Sequence, residues 1–106
     1  MYLKIKDKKI EIKELKTFKD KFKSLKFVFE PIDYGIKISN KHLASTYFFC
    51  QRIDICYTDN DNLITYLHEN IKSEKNIFHT KKGNIYYLPL NTVKNLKIGE
   101  KLNIKN

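Results

Sequence analysis

Glycine and arginine are scarce in this chain, long apolar runs are missing, and each scarcity argues against a class of function. The three glycines stand apart in the sequence, whereas a phosphate-binding loop or a dinucleotide fingerprint needs clustered glycines. One of the 21 basic residues is arginine, the residue that makes bidentate contacts to phosphate and guanine. No apolar run reaches the roughly 18–20 residues of a membrane span. Residues 2–6 alternate where a signal peptide would be continuously apolar, so we expect a cytoplasmic protein that does not enter a membrane.

Cysteine and histidine are too few and too widely spaced to form a recognisable motif. Cys50 and Cys56, if they share one extended segment, lie about 20 Å apart at ~3.3 Å per residue, which is too far for a disulfide. We interpret both as reduced, buried, small apolar residues. His42, His68 and His79 fall on separate segments, so a histidine site is open only through assembly in three dimensions. The sequence therefore predicts no metal and no cofactor.

The charge of the chain is strongly positive but is carried by lysine. The net charge is +9 over 106 residues, and residues 27–70 are slightly acidic between two basic ends. Lysine, isoleucine and asparagine together make up 44 residues, a bias typical of an AT-rich coding sequence. A solvated lysine surface that keeps the protein soluble is the simpler interpretation. Binding to a polyanion such as nucleic acid is the alternative.

Period-two alternation predicts strands over most of the chain, with a hairpin of residues 2–6 and 9–13 at its start. Asp59-Asn60-Asp61-Asn62 is a turn by composition, since Asx side chains cap their own backbone. A second hairpin is predicted with its turn near Lys82-Gly83-Asn84, and a helical turn near 90–97. The other predicted strands are 36–39, 45–50, 52–58, 63–67 and a closing strand in 100–104.

A short amphipathic helix interrupts this pattern at about residues 17–26. Phe18, Phe22 and Leu25 recur at helical spacing, and Thr17 is a suitable N-cap. One helix and eight to ten short strands indicate a mainly β domain, a jelly-roll-like sandwich or a partly open barrel. At this length the whole chain, 1–106, is one domain.

Asp54 is a carboxylate inside the predicted strand 52–58, between two isoleucines. Arg52 lies two residues away on the same face and could form an ion pair with it, while Thr46 or Tyr47 could add hydrogen bonds. If that face lines a cleft, Asp54 is a functional group, and if it does not, the carboxylate is structural. A calcium loop starting at Asp59 is excluded, because positions six and twelve lack the required glycine and glutamate.

The central segment resembles the family called domain of unknown function 192. Its signature of two aromatics and Met, then Pro-Ile-Asp, apolar residues, Asp and a turn resembles the stretch STYFFCQRIDICYTDNDNLI at residues 45–64. The helix around Thr17 and the ending with Lys97, Gly99 and Glu100 are also similar, so the resemblance spans about 15–104. This chain has Phe49 where the family has Met and Arg52 where it has Pro. The resemblance implies a compact jelly-roll-like β fold with peripheral helices, and it implies no activity.

These observations favour a non-enzymatic module that binds a small ligand or a protein. Asp54, Arg52, Tyr47 and Thr46 are its candidate binding residues. The first alternative is a polyanion binder that uses the lysine-rich helix and the C-terminal lysines. The second alternative is an enzyme that uses Asp54, which requires this carboxylate to lie in a concave pocket beside a second titratable group.

Overall fold

Alternating apolar and polar residues build a seven-stranded sheet in the computed structural model, which describes residues 1–15, 29–47 and 49–105. Six strands come first in the chain, and a short 3-10 turn at Val93–Asn95 follows them. The seventh strand comes last and lies at one edge of the sheet. The strands are β1 Tyr2–Ile5, β2 Lys8–Glu14, β3 Gly35–Ser45, β4 Ile53–Thr58, β5 Ile64–Ile71, β6 Asn76–Leu88 and β7 Ile104–Lys105. Their order across the sheet is β5-β4-β6-β3-β2-β1-β7.

The pairings are antiparallel except between β2 and β3, which run parallel from Ile12 opposite Gly35. A parallel pair needs a long connection between its strands, and residues 15–34 supply it. The predicted helix at 17–26 falls in this connection and lies outside the described residues. Within the described residues, no helix is long and apolar enough to cross a membrane.

Each face of the sheet contributes to its own apolar core. Successive residues of β6 point to opposite faces, so Ile85 and Tyr87 belong to the first core and Tyr86 and Leu88 to the second. All six residues of β4 are buried, because this strand has an apolar layer on both sides. Isoleucine supplies much of both cores, and the aromatic share comes from Phe49 and the tyrosines.

The distal halves of β3 and β6 extend beyond their neighbours as a two-stranded arm, residues 41–45 and 76–83. Leu43 pairs with Phe78 and Ala44 with Ile77 in this arm, whereas β4 pairs only with the later part of β6. The arm turns over the first core, since the Tyr57 hydroxyl of β4 donates to the carbonyl oxygens of His42 and Ile77 at 3.2 and 2.9 Å.

The structure confirms the mainly β fold and corrects two predicted strands. The predicted hairpin at Lys82-Gly83-Asn84 is wrong, because β6 runs straight through these residues. The predicted strand at 45–50 is also wrong, since β3 already ends at Ser45 and the chain turns at Tyr47. Long strands thus replace pairs of short ones, which leaves seven strands among the described residues instead of eight to ten. The helical turn predicted near 90–97 is confirmed at Val93–Asn95.

Candidate functional site

Asp54 is a buried carboxylate that binds backbone amides. It is 1% exposed, and its side chain leaves β4 on the face opposite the first core. Its Oδ1 accepts the amide of Asn70 at 2.9 Å, while Oδ2 accepts the amides of Thr92 and Val93 at 2.8 and 3.0 Å. Asp54 therefore ties β4 both to β5 and to the start of the 3-10 turn.

Arg52 is exposed and does not pair with Asp54. Its Nη1 donates to Oδ1 of Asn70 at 3.4 Å, at the end of β5. The ion pair considered from the sequence does not form. Asp54 is buried, and three backbone N–H groups donate to its two carboxylate oxygens in place of the Arg52 guanidinium. Asn70 has a left-handed backbone, with φ of 54°, at the irregular end of the β4–β5 pairing. Its amide points to Asp54 and its side chain to Arg52.

Thr46 organises the turn between β5 and β6. It is 1% exposed, and its hydroxyl donates to the Lys72 carbonyl at 2.8 Å and accepts the Lys75 amide at 2.9 Å. Its own backbone bonds to Glu74 and Lys75 complete the anchor, with Glu74 in the left-handed region. Tyr47 is 43% exposed beside this turn, and its amide donates to the Ser45 hydroxyl at 3.4 Å.

These anchors shape a groove of about 420 Å³ between the start of β4, the end of β5 and the start of β6. Three permanent cations and two amide side chains surround two isoleucines, and the lining contains no aspartate or glutamate. The lining residues are Arg52, His68, Asn70, Ile71, Lys72, Lys75, Asn76 and Ile77. We call this the cationic groove.

Of the four binding residues predicted from the sequence, Arg52 alone lines the cationic groove. Thr46 and Asp54 lie behind it and hold the segments that carry the lysines and Asn70. Tyr47 lies outside the groove lining. In the sequence, an asparagine at position 70 followed by Lys72 and Lys75 was the signal that could have indicated the groove.

His68 and His79 meet at one end of the cationic groove. Their Nε2 atoms are 2.9 Å apart and their ring centroids 5.2 Å apart, so the two Nε2 atoms lie close to the line between the rings. The ring of Tyr66 stacks on His79 at 3.6 Å and 6°, and Tyr57 meets the same histidine edge-on at 4.5 Å. Sequence reasoning did not pair these histidines, because they lie on β5 and on the arm, with β4 between.

Burial lowers the pKa of both histidines below its ordinary value, and the nearby His79 lowers that of His68 further. The lowered pKa favours the neutral form of both rings. A hydrogen bond between the two Nε2 atoms needs one of these nitrogens to donate and the other to accept.

The remaining candidates from the sequence are the two cysteines, a metal site and the Asx turn. Burial raises the pKa of the Cys56 thiol to about 12, so it remains protonated. Cys50 is exposed, so the prediction that both cysteines are buried is wrong for this residue. Within the described part of the chain, no three His, Cys, Asp or Glu side chains cluster as a metal site. The predicted Asx turn is confirmed, since Oδ1 of Asp59 accepts the amides of Asp61 and Leu63, each at 2.9 Å.

Comparison with known proteins shows similarity in fold. No family model matches the chain, and no curated protein matches it. A solved structure from Sinorhizobium meliloti 1021, described as a putative transcription regulator, has a TM-score of 0.79 at 16% identity, covering 96% of this chain and 89% of that one. A protein of unknown function from Novosphingobium aromaticivorans DSM 12444 has a TM-score of 0.75 at 13% identity, covering 97% and 82%. At these identities the similarity shows the fold alone.

Proposed function

We propose that this small β domain is a non-enzymatic binding module whose ligand is a small anion held in the cationic groove. The observation that carries the proposal is the convergence of Arg52, Lys72 and Lys75 on one cavity whose lining contains no carboxylate. Cations brought together at one site repel one another, and an anion offsets that repulsion through charge-assisted hydrogen bonds. Asn70 and Asn76 add neutral donors to the same cavity.

The positions of Asp54 and Cys56 favour binding over catalysis. An enzyme built on Asp54 would need this carboxylate in the cavity, but it lies behind the wall with both oxygens bonded to amides. Cys56 is buried in the second core with a raised pKa, which does not suit a nucleophile.

Titration with inorganic phosphate at low ionic strength, followed by calorimetry, tests the proposal. The double variant Lys72→Ala/Lys75→Ala should weaken binding by about tenfold, because two of the three permanent charges of the groove are removed. The matched control is Lys4→Ala/Lys97→Ala, which removes two exposed lysines outside the groove and should change affinity by less than about twofold. Equal weakening in both variants would mean that net charge alone attracts the anion, and the proposal would fail.

Binding of nucleic acid is a second candidate, favoured by lysines at several cavities besides the cationic groove. Lys101 and Lys105 line one, Lys81 and Lys82 another. The S. meliloti structure described as a putative transcription regulator is similar in fold. The lysine-rich helix on which the sequence hypothesis depended lies outside the described residues. Affinity for a duplex should fall steeply as salt rises. Absence of binding even at ~50 mM salt would exclude this candidate.

We also propose that the chain is a divergent member of domain of unknown function 192. Support comes from the similar segment that contains Thr46, Asp54 and Asp59, and from the mainly β fold that the resemblance implies. In this view the aspartate of the signature is a structural residue, because it caps backbone amides. An alignment of close homologues, compared with the family signature, tests the assignment. If those homologues lack an aspartate at the position of Asp54, the assignment is contradicted.

A further inference from the structure

We propose that the ligand of the cationic groove is a tetrahedral dianion, a phosphoryl or sulfuryl group, and that its binding is coupled to uptake of one proton by the His68–His79 pair. The inference rests on the proposed function, since it concerns the same groove. It adds the charge and shape of the ligand and the way in which pH regulates its affinity.

The first step is the place of the pair relative to the ligand. His68 lines the cationic groove together with Arg52 and Lys72, whereas His79 lies behind it on the arm. An anion in the groove therefore faces one member of a hydrogen-bonded imidazole pair. Any charge that the pair gains is placed beside the anion.

The second step is the number of protons that the pair can hold. Two neutral imidazoles carry one N–H each, and the Nε2–Nε2 bond uses the N–H of one ring and the lone pair of the other. The donor ring then has an unprotonated Nδ1, which can accept a proton without breaking this bond. A further proton would have to go to the accepting Nε2, which would set N–H against N–H. The pair can therefore take up one proton while His79 of the arm stays hydrogen-bonded to His68 of β5.

The third step is the set of groups that face the pair. From β4 and β5 these are the neutral rings of Tyr57 and Tyr66. The charged groups of the groove are Arg52, Lys72 and Lys75, all positive, and neither Glu69 nor Glu74 is part of the lining. Burial lowers the pKa of both histidines, and the neighbouring His79 lowers that of His68 further, so the neutral form of the pair is favoured when no anion is bound.

An anion in the groove reverses this balance. A negative charge beside His68 favours the imidazolium, so the pKa of the pair rises on binding and a proton is taken up. By linkage, affinity then rises as the pH falls. A dianion fits better than a carboxylate, since three permanent cations and one inducible cation surround a single cavity, and a tetrahedral group offers several oxygens to donors on different segments. Each bound anion leaves the protein with one proton more.

Calorimetry with sulfate tests the inference directly, because sulfate stays a dianion while the histidines titrate. Titrations in buffers of different ionisation enthalpy give the number of protons taken up on binding. We expect about one proton per sulfate near pH 7, and an affinity that rises about tenfold for each unit of falling pH until the pair is charged. Inorganic phosphate and acetate titrated in parallel separate the two tetrahedral anions from each other and from a carboxylate.

The three histidines of the chain supply matched variants. His68→Gln should abolish the proton uptake and retain binding at high pH through the three permanent cations. His79→Gln should reduce the uptake, because the hydrogen-bond partner is lost. His42→Gln should keep the uptake of the wild type, since His42 contacts Phe78 and lies outside the groove lining. Thermal melts of each variant confirm that the fold is retained.

The outcomes separate the inference from the proposed function. Failure of both sulfate and phosphate to bind even at pH 5 would overturn both. Binding without proton uptake, or an uptake that survives in His68→Gln, would overturn the inference and leave the anion site intact. Acetate binding as tightly as sulfate would contradict the assignment to a dianion.

Discussion

At the scale of single residues, Asp54 stabilises the domain by accepting three backbone amides from two separate segments. Asp54→Asn replaces one carboxylate oxygen with an NH₂ group, which must face at least one of these amides. We expect a loss of about 2–4 kcal/mol in the free energy of unfolding, because buried donors are left unsatisfied. Urea denaturation measures the loss. The control Asp61→Asn changes an exposed aspartate of the Asx turn and should cost less than ~0.5 kcal/mol. Similar costs for the two variants would mean that Asp54 does not act as this anchor.

The two thiols give a second prediction at this scale. Cys50 is exposed, whereas Cys56 is fully buried and its pKa is raised to about 12. A thiol reagent at pH 8 should therefore label one cysteine rapidly in the folded protein and the other only after unfolding. Cys50→Ser should remove the rapid phase. Rapid labelling of Cys56 in that variant would show that the second core opens easily.

The groove residues were only partly predictable. Thr46, Arg52 and Asp54 were selected as binding residues, but the first and third hold segments in place while the second lines the cavity. Period two gave the face of Asp54 correctly. The alternation could not predict which residues cover that face, because the 3-10 turn that does so lies almost forty positions later in the chain.

At the scale of elements, the crossing between β4 and the arm depends on Gly83. A Cβ at this position would collide with the carbonyl oxygen of Thr58, a backbone atom that cannot move without disturbing β4. Gly83→Ala should lower the free energy of unfolding by about 3 kcal/mol, through strain at the point where β6 leaves β4.

Gly35→Ala is the matched comparison for this prediction. Its Cβ would meet the side-chain ends of Ile12 and Leu88 at 2.6 and 2.9 Å and the Tyr87 carbonyl oxygen at 3.2 Å. The two closest contacts are to side chains, which can shift more easily than backbone. We therefore expect a smaller loss, of about 1–2 kcal/mol, in the same denaturation experiment. A larger loss for Gly35→Ala than for Gly83→Ala would contradict the argument.

Gly83 also explains why one predicted hairpin was wrong. Lys82-Gly83-Asn84 has the composition of a turn, yet here glycine serves the close approach of two strands and β6 continues through it. Local composition cannot separate these two uses of glycine. Only the position of Thr58 in the folded chain decides between them.

At the scale of the whole molecule, buried tyrosines lie in both cores of the sheet and affect its stability at high pH. Burial raises the pKa of Tyr57 and of Tyr87 to about 12, from 10.0, and that of Tyr86 also rises. Because these phenols are protonated in the folded state, their contribution to stability is complete below pH 10. It should be lost as the pH rises from about 10 to about 12. Denaturation in urea across this range measures the loss.

Tyr87→Phe isolates one of these contributions. The variant removes the hydroxyl that donates to the Ser45 carbonyl at 3.3 Å, so it should be somewhat less stable at neutral pH. Its free energy of unfolding should fall less steeply above pH 10 than that of the wild type, since one titrating group is gone. An unchanged slope would contradict the assignment of Tyr87 as a buried phenol.

The fold class, the opening hairpin, β4, the Asx turn and the 3-10 turn were predictable from the sequence alone, because alternation, Asx capping and apolar content act over a few neighbouring residues. Tertiary structure decided the length of β3 and β6, the parallel pairing of β2 with β3, and the partners of Asp54. It also brought Arg52, Lys72 and Lys75 to one groove beside His68, and His79 to its partner. The cause is distance along the chain. The pairing of β2 with β3, the bonds of Asp54 and the contact of His68 with His79 each join residues 11 or more positions apart, and their energies appear only after the sheet has formed.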